Sequence, residues 1–217
     1  MPGAPSETFA ALDLPFIRHA FIGRVPGLDV NVERGEALRK LREVHEEARR
    51  SLGFGAMPMA TAEQVHGNHV AVVEAGTVAL PSAGADGMVT NRRNIALGIY
   101  VADCCALYLV DPAKRAIGLV HSGRKGTELG IAAAAVETMG VQFGSAPADL
   151  IAQLGPCIRP PDYEIDFAAQ IAEQCRASGV RNVFDCGKNT AADLARYYSY
   201  RVERGKTGRM LALLALN

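Results

Sequence analysis

Two residues of the kind that bind metals or act as nucleophiles lie at the ends of neighbouring strand-like runs. The apolar runs Cys105 to Val110 and Ala116 to Val120 flank a turn that begins at Asp111, a pattern typical of a hairpin. Cys104 stands just before the first run and His121 just after the second. Because hairpin strands are antiparallel, these two side chains are expected at the same edge of a sheet. A thiol beside an imidazole is either part of a metal site or a thiolate–imidazolium nucleophile.

A third candidate ligand, His66, stands at the end of another strand-like run. Residues 60–65 and 70–74 surround a Gly-Asn turn signal, so a second hairpin is predicted there. Together, His66, Cys104 and His121 would give a catalytic zinc site its three protein ligands and leave one position open for phosphate or water. Their spacing matches no local zinc-finger motif. The metal-bound and metal-free interpretations therefore both stay open.

A carboxylate lies directly beside the candidate thiol. Asp103 precedes Cys104, after the uncharged strand-like run Ile95 to Val101. A carboxylate in that position either orients a ligand histidine by hydrogen bonding or caps a turn. Both interpretations of Asp103 are kept.

Glycines and cations follow His121 immediately. Residues 122–126 read S-G-R-K-G and precede an Ala-rich helix predicted over 127–139. The free backbone N–H groups and the dipole of a helix N-terminus favour negative charge, and Arg124 and Lys125 add to this preference. The stretch therefore predicts an anion-binding loop beside a candidate ligand.

Two further residues are interpreted, from their surroundings alone, as surface residues. Arg24 lies in the Gly/Pro-rich turn 23–27. His45 lies on or near the polar face of an amphipathic helix predicted over 33–52.

The composition excludes several classes of protein. The 217 residues are 49% apolar, and 23 basic residues balance 23 acidic ones, so nothing suggests a nucleic-acid or membrane partner. Five cysteines at irregular spacing fit a reducing cytosol better than a secreted disulfide framework. With no signal-peptide pattern and no apolar run long enough to span a membrane, a cytoplasmic protein is expected. Composition does not indicate its oligomeric state.

The order of the predicted elements favours a mixed α+β domain. Strands and helices alternate without strict βαβ order, so a single domain with mixed β-sheets flanked by helices is expected over 14–217. Residues 1–13 are predicted to form a flexible N-terminal leader. The runs 197–202 and 209–216 predict a closing hairpin.

Seven short stretches, in this order, resemble those of a known family. They are Q-V-H-G (64–67), A-D-G-M-V-T (85–90), A-D-C (102–104), H-S-G-R-K-G (121–126), G-P-C-I (155–158), Y-E-I (163–165) and Y-S-Y-R…G-K-T-G-R-M (198–210). Through these motifs the chain is similar to the YfiH-like, or laccase-domain, family, formerly called multicopper polyphenol oxidase. The similarity covers roughly residues 16–217.

The resemblance implies an αββα-type, YfiH-like fold and a zinc cofactor. It implies phosphorolysis of the purine nucleosides adenosine, inosine, guanosine and methylthioadenosine, with adenosine deamination alongside. The partners would then be a purine nucleoside and phosphate. A family turn corresponds to residues 21–24 here, which makes Arg24 a candidate for binding phosphate or ribose. The implied metal ligands are His66, Cys104 and His121; the catalytic candidates are Cys104, His121, Arg24 and Asp103; the phosphate-binding candidates are Arg24, Arg124 and Lys125.

The chain departs from the family pattern in the loop after His121. The usual H-A-G-W-R-G is H-S-G-R-K-G here, so Arg124 replaces a tryptophan and Lys125 replaces an arginine, which removes a bidentate group. Two alternatives therefore stay open: a metal-free cysteine hydrolase or deamidase using Cys104 and His121, and a zinc-stabilised binding domain without activity. Copper is a less favoured cofactor, because multicopper chemistry needs many more histidines than the five present.

Overall fold

Two β-sheets packed face to face contain the buried strands of the chain. The computed structural model describes residues 4–75 and 80–217. The strands in this part are β1 (Ser6–Glu7), β2 (Ile17–Ile22), β3 (Met59–Thr61), β4 (Val70–Val72), β5 (Gly87–Thr90), β6 (Ala96–Val101), β7 (Cys105–Asp111), β8 (Ala116–Ser122), β9 (Ile151–Leu154), β10 (Asn182–Asp185) and β11 (Met210–Leu216). The α-helices are α1 (Arg34–Ser51), α2 (Arg124–Glu128), α3 (Ile131–Phe143) and α4 (Phe167–Ala177).

Each sheet mixes parallel and antiparallel pairs. The first sheet has the order β1-β2-β11-β6-β3, and the second has the order β10-β9-β7-β8-β5-β4. The parallel pairs are β3 with β6, β4 with β5 and β10 with β9. Helix α1 packs on the outer face of the first sheet, and α3 and α4 pack on the outer face of the second. This α–β–β–α layering confirms the predicted α+β class with mixed sheets flanked by helices.

Alternate side chains of a strand pack into two different apolar layers of the fold. In β11, Met210, Ala212 and Leu214 face the core between the sheets, whereas Leu211 and Leu213 face α1. Because successive side chains of a strand point to opposite faces, a strand buried on both faces is apolar throughout. Each fully buried leucine contributes about 1.5–3 kcal/mol relative to an exposed one. Apolar burial on both faces of β11 therefore holds the first sheet between the second sheet and α1.

The connection from β3 to β4 differs from the predicted hairpin. β3 pairs with β6 in the first sheet, whereas β4 pairs with β5 in the second, so the chain crosses between sheets instead of turning back. Gln64 and His66 adopt positive φ values of 64° and 62° in this crossing. A carboxylate distant in sequence, Asp86, accepts hydrogen bonds from the crossing's backbone and stabilises it. A short-range turn signal does not reveal such a partner.

The N-terminal residues also differ from the prediction. The described part of the predicted leader, 4–13, packs onto the fold: β1 pairs with β2, and Phe9 and Leu12 are buried in the core between the sheets. The apolar residues here are too few to form a periodic pattern, so the sequence gives no sign of their burial.

Two other predicted elements are interrupted. The helix predicted over 127–139 is two helices, α2 and α3, because Gly130 between them has a φ of 78°. Of the predicted closing hairpin only β11 is a strand; residues 197–199 have no regular secondary structure and residues 200–205 form turns. Within the described ranges no helix is both long enough and apolar enough to cross a bilayer.

Candidate metal centre and active site

The three residues that the sequence predicts as metal ligands lie together. The candidate ligand atoms of His66, Cys104 and His121 all lie within 4.8 Å of one another. The two imidazole rings meet edge to face, with 4.9 Å between their centroids. Two imidazoles and a thiol at this separation form a donor set that suits a single transition-metal ion.

Strand register explains why Cys104 and His121 meet. Cys105 pairs with Ser122, and Ala106 pairs with His121, in the antiparallel β7–β8 hairpin. Cys104 directly precedes β7, and His121 is the next-to-last residue of β8. The hairpin therefore brings both residues to one edge of the sheet. This confirms the predicted juxtaposition. His66 arrives at the same edge from the β3–β4 crossing.

The ligand group is open on one side. His121 is 4% exposed, Cys104 is half-buried and His66 is exposed. A substrate can therefore approach from the His66 and Cys104 side, while His121 stays packed in the fold.

Asp86 orients His121, the role that one of the two interpretations of the sequence gives to Asp103. Oδ1 of the fully buried Asp86 lies 2.8 Å from Nδ1 of His121. The same carboxylate accepts hydrogen bonds from the backbone N–H groups of His66 (2.9 Å) and Gly67 (2.7 Å). Burial opposes ionisation of Asp86, but the hydrogen bonds from His121 and Gly67 outweigh it and hold the pKa of the carboxyl below its usual value. One ionised side chain thus positions two candidate ligands.

Asp103 has a different set of partners. Its carboxylate accepts hydrogen bonds from Thr190 Oγ1 (2.7 Å), Ser199 Oγ (3.0 Å) and the backbone N–H of Arg201 (2.7 Å). Burial raises the pKa of Asp103. The residue therefore organises the 199–201 segment, which agrees with the turn-capping interpretation of Asp103, and the carboxylate that contacts His121 is that of Asp86.

Cys104 and His121 favour each other's charged forms. Burial disfavours the Cys104 thiolate, but His121 and His66 outweigh it and lower the pKa of the thiol. Burial likewise disfavours the imidazolium of His121, but Cys104 and Asp86 outweigh it and raise its pKa. The pair has the electrostatics of a ligand thiolate and of a nucleophile alike.

Gly123 makes room for the thiol. A Cβ built on Gly123 would lie 2.6 Å from Cys104 Sγ and 3.6 Å from Cδ2 of His66. No side chain fits at that distance from the sulfur, so the glycine of the H-S-G stretch is a packing requirement of the site.

A cavity of about 370 Å³, hereafter the site cavity, opens beside Cys104. Its lining combines aromatic rings, apolar side chains and three arginines next to the thiol. The lining residues are Ala102, Asp103, Cys104, Arg124, Ile158, Tyr163, Phe167, Tyr200, Arg201 and Arg204. This combination suits a ligand with a flat ring and a negative charge.

The three arginines of the site cavity differ in their partners. Arg124 pairs with Glu128 at 2.9 Å and lies 3.9 Å from Glu164, and Arg201 pairs with Glu164 at 2.9 Å. Arg204 has no ion pair or side-chain hydrogen bond to any described residue. It is therefore the cation of this cavity that is uncompensated within residues 4–75 and 80–217.

Two predicted phosphate-binding residues lie elsewhere. Arg24 pairs with Glu203 at 2.7 Å, donates from Nε to the carbonyl of Tyr197 and stacks over the Tyr198 ring. Lys125 is exposed on α2, and neither residue lines the site cavity. Of the three phosphate-binding candidates, the structure places only Arg124 beside Cys104.

Sequence reasoning missed Asp86, Tyr163, Tyr200, Arg201 and Arg204. All five lie in or beside stretches that carry the family resemblance: A-D-G-M-V-T, Y-E-I and Y-S-Y-R. Those motifs were the available signal, but only the fold shows that they converge on one cavity.

A protein-family model matches residues 22–170 and 162–217 of the chain. Its description is multi-copper polyphenol oxidoreductase laccase. The chain belongs to this family. The resemblance predicted from the motifs is thereby confirmed.

Two named relatives and one solved structure resemble the chain over most of its length. A purine nucleoside phosphorylase of Deinococcus radiodurans is 33% identical, over 99% of this chain and 94% of its own length. Purine nucleoside phosphorylase YlmD of Geobacillus stearothermophilus is 29% identical, over 87% of this chain and 81% of its own length. The crystal structure of the Bacillus licheniformis hypothetical protein YfiH superposes with a TM-score of 0.83 at 22% identity, covering 95% of this chain and 98% of that one. This last similarity confirms the YfiH-like fold.

Proposed function

We propose that this chain is a purine nucleoside phosphorylase. The observation that carries the proposal is the His66–Cys104–His121 group at the mouth of a cavity lined by aromatic rings and arginines. Relatives that share the family carry the name of this activity. The two substrates of the reaction are a nucleoside and phosphate. The cavity offers one surface for the purine base of the nucleoside and another for phosphate.

We further propose zinc as the resident metal, held by His66, Cys104 and His121. Two imidazoles and one thiolate match the ligands of catalytic zinc sites, which use three protein ligands and keep one position open. Bound there, zinc would supply a Lewis acid beside the site cavity. Copper fits less well, because the described group has three donors in one cluster and the whole chain has only five histidines.

The aromatic part of the cavity is assigned to the purine base. Tyr163 and Phe167 meet edge to face at 5.8 Å, and Tyr200 lines the cavity as well. Rings of this kind bind a flat heterocycle by stacking and by edge contacts. The apolar side chain of Ile158 completes this surface.

The arginines are assigned to phosphate. Arg124 and Arg201 are partly neutralised by Glu128 and Glu164, so the uncompensated Arg204 supplies the net positive charge. In phosphorolysis a phosphate oxygen forms a bond to C1′ of the ribose while the bond from C1′ to the base nitrogen breaks, and the base leaves with the bonding electrons and takes up a proton. Arginines that fix phosphate beside the nucleoside make this encounter effectively intramolecular.

Asp103 and Arg24 are assigned positioning roles. Asp103 binds Ser199 and the backbone of Arg201, and Arg24 holds Glu203, which accepts a hydrogen bond from the Ser199 backbone at 3.0 Å. Both therefore act through the 199–204 segment that carries Tyr200, Arg201 and Arg204.

Adenosine deamination is proposed as a second reaction of the same site. Water would take the place of phosphate, attack the purine carbon that bears the amino group and release ammonia. Inosine formation without phosphate would identify this reaction, whereas release of adenine requires phosphate.

The proposed phosphorylase is tested by incubating zinc-loaded protein with inosine, adenosine, guanosine or methylthioadenosine, with and without phosphate. Free base and ribose 1-phosphate, or its methylthio analogue, are expected only with phosphate, and Cys104→Ala is expected to abolish them. No turnover of any nucleoside, with Cys104→Ala indistinguishable from the parent, would refute the proposal.

A metal-free cysteine hydrolase is the second candidate. Cys104, His121 and Asp86 have the arrangement of a thiol, a base and an orienting carboxylate. The pKa of Cys104 is lowered, as a thiol nucleophile requires. Metal analysis separates the two: stoichiometric zinc that disappears in His66→Ala contradicts the hydrolase.

The five cysteines are all free thiols in the structure, which supports the predicted cytoplasmic location.

A further inference from the structure

A second cavity lies on the opposite side of the first sheet from the core between the sheets. It has a volume of about 200 Å³ and lies between α1 and the strands β3, β6 and β11; we call it the α1 cavity. Its lining residues are Gly35, Leu38, Arg39, Arg42, His45, Glu46, Arg49, Met59, Tyr100 and Leu211. None of these residues lines the site cavity, so the two cavities are separate.

The buried face of α1 is polar in the C-terminal half of the helix. Ala37, Leu41, His45 and Arg49 follow each other at four-residue intervals, and all four are buried. Residues at this spacing lie on one side of a helix. A face that served packing alone would continue with apolar residues, whereas this one places an imidazole and a guanidinium against the sheet.

Both polar side chains have an unsatisfied buried nitrogen. His45 is 3% exposed and Arg49 is 7% exposed, and neither Nε2 of His45 nor Nε of Arg49 has a hydrogen-bond partner among the described residues. The rest of the Arg49 guanidinium is engaged: its two terminal nitrogens contact the Met57 carbonyl at 2.8 Å and Glu46 at 3.5 Å. An unsatisfied buried polar group destabilises the folded state, so a partner for it is favourable. Both residues line the α1 cavity, so a ligand in it would lie beside both side chains.

The charge of the cavity selects the kind of ligand. Arg39, Arg42 and Arg49 line it against one acidic residue, Glu46. Burial lowers the pKa of His45 to about 4, so its imidazole is neutral at pH 7, and a neutral imidazole can carry its proton on Nε2. Arg49 Nε is always a donor. The lining thus presents two donors and a net positive charge.

We propose that the α1 cavity binds a small oxyanion, phosphate or a carboxylate, whose oxygens accept hydrogen bonds from Arg49 Nε and His45 Nε2. Tyr100, whose ring stacks on His45 with 5.9 Å between centroids, forms one wall. This site is independent of the proposed phosphorylase activity, because its residues and cavity are distinct from those of the site cavity.

Thermal unfolding in the presence of inorganic phosphate tests the proposal. Phosphate at one hundred times its dissociation constant is expected to raise the midpoint by about 5–10 °C in the wild type. Arg49→Gln should lose the part of this rise that the α1 cavity contributes, and Arg50→Gln, which makes the same charge change at the next residue on the exposed side of α1, should keep it. A parallel titration with acetate shows whether a planar carboxylate is accepted as well.

Two further variants keep the result interpretable. His45→Phe retains the stacking on Tyr100 but removes the donor, and should reduce the rise even if Arg49→Gln fails to fold. Arg204→Gln weakens phosphate binding in the site cavity, so the rise that remains in this variant is the part expected from the α1 cavity. A rise that survives Arg49→Gln and His45→Phe but disappears in Arg204→Gln would overturn the proposal, as would no rise in the wild type.

Crystals grown with selenate locate the anion directly. An anomalous peak within hydrogen-bonding distance of Arg49 Nε and His45 Nε2 is the expected result. Water alone at that position, in crystals where selenate occupies other sites, would show that the cavity is only hydrated and would overturn the proposal.

Discussion

Asp86 is the residue on which the geometry of the candidate metal centre depends most. It holds the imidazole of His121 through Nδ1 and fixes the backbone at His66, so a single carboxylate positions two of the three candidate ligands. A carboxylate on the far nitrogen of a ligand histidine fixes the ring's tautomer and strengthens its other nitrogen as a ligand. The donors are thus preorganised on the protein side.

Replacing Asp86 should weaken metal binding. Asp86→Asn is expected to lower zinc affinity by roughly 10–100-fold, because the amide cannot match the carboxylate's interactions with His121 and the backbone. Competition against a chromophoric chelator measures the change. Asp103→Asn is the matched control and should leave zinc affinity within about twofold while lowering activity. Equal losses of affinity in both variants would contradict the distinct roles assigned to the two carboxylates.

Arg204 carries a prediction about substrate affinity. Arg204→Gln is expected to raise KM for phosphate by roughly 10–100-fold, the loss of one charge-assisted hydrogen bond, with little change in KM for the nucleoside. Steady-state kinetics with each substrate varied in turn measure both constants. Lys206→Gln removes a nearby cation that does not line the site cavity and should leave both unchanged. A rise in both constants would argue for a structural role of Arg204.

At the scale of elements, the junction between β8 and α2 packs the backbone of Gly123 against the thiol of Cys104. Ser122 Oγ and Thr127 Oγ1 lie 2.8 Å apart, and Thr127 Oγ1 donates to the Gly123 carbonyl at 2.8 Å. These contacts fix the backbone of Gly123 against Cys104. The junction therefore has no freedom to accommodate a larger residue.

A methyl group at this junction should displace the sulfur. Gly123→Ala is expected to reduce zinc content to well below stoichiometric, because the new Cβ would lie 2.6 Å from Cys104 Sγ. Elemental analysis and circular dichroism measure metal content and fold together. Gly140→Ala, in the interior of α3 where a Cβ meets its nearest neighbour at 3.5 Å, is the control and should retain full zinc. Normal zinc content in Gly123→Ala would show that the junction can shift.

These elements also show what the sequence can and cannot predict. The meeting of Cys104 with His121 follows from a local hairpin, whose antiparallel register needs only two apolar runs and a turn. The role of Asp86 does not follow from a local pattern. The β3–β4 crossing that it stabilises joins two different sheets, and their packing is not visible in the sequence. The position of Arg204 depends on how residues 199–204 pack beside Asp103 at the start of β7. Sequences that form turns carry no periodic apolar pattern from which such packing could be predicted.

On the scale of the whole molecule, α1 is where the sequence pattern is most misleading. The apolar stripe predicts a buried side and places His45 on the polar one, yet His45 and Arg49 belong to the buried face. The reason is that the first sheet offers Tyr100 and the α1 cavity at this point, and a polar pair fits against them. Layer packing, which no helix pattern contains, decides the orientation of the helix.

The buried His45 should make the stability of the whole domain depend on pH. In the unfolded chain a histidine binds a proton below about pH 6.5, whereas in the folded chain burial lowers the pKa of His45 to about 4. The unfolded state therefore binds more protons in this window, so the free energy of unfolding is fully retained above pH 6.5 and falls as the pH drops towards 4. The contribution of this one group is at most about 3 kcal/mol.

Urea unfolding of wild type and His45→Phe between pH 4 and 7 measures this contribution. The neighbours of His45, namely Arg42, Glu46, Arg49 and Tyr100, are the same in both proteins, so the difference between the two pH profiles isolates the imidazole. His45→Phe is expected to lose less stability than the wild type as the pH falls, whereas His69→Gln, at an exposed position, should follow the wild type. His19, which is also partly buried with a lowered pKa, contributes equally to all three curves. Superimposable profiles for wild type and His45→Phe would show that the folded protein admits the proton at His45, and would remove the neutral imidazole from the account of the α1 cavity.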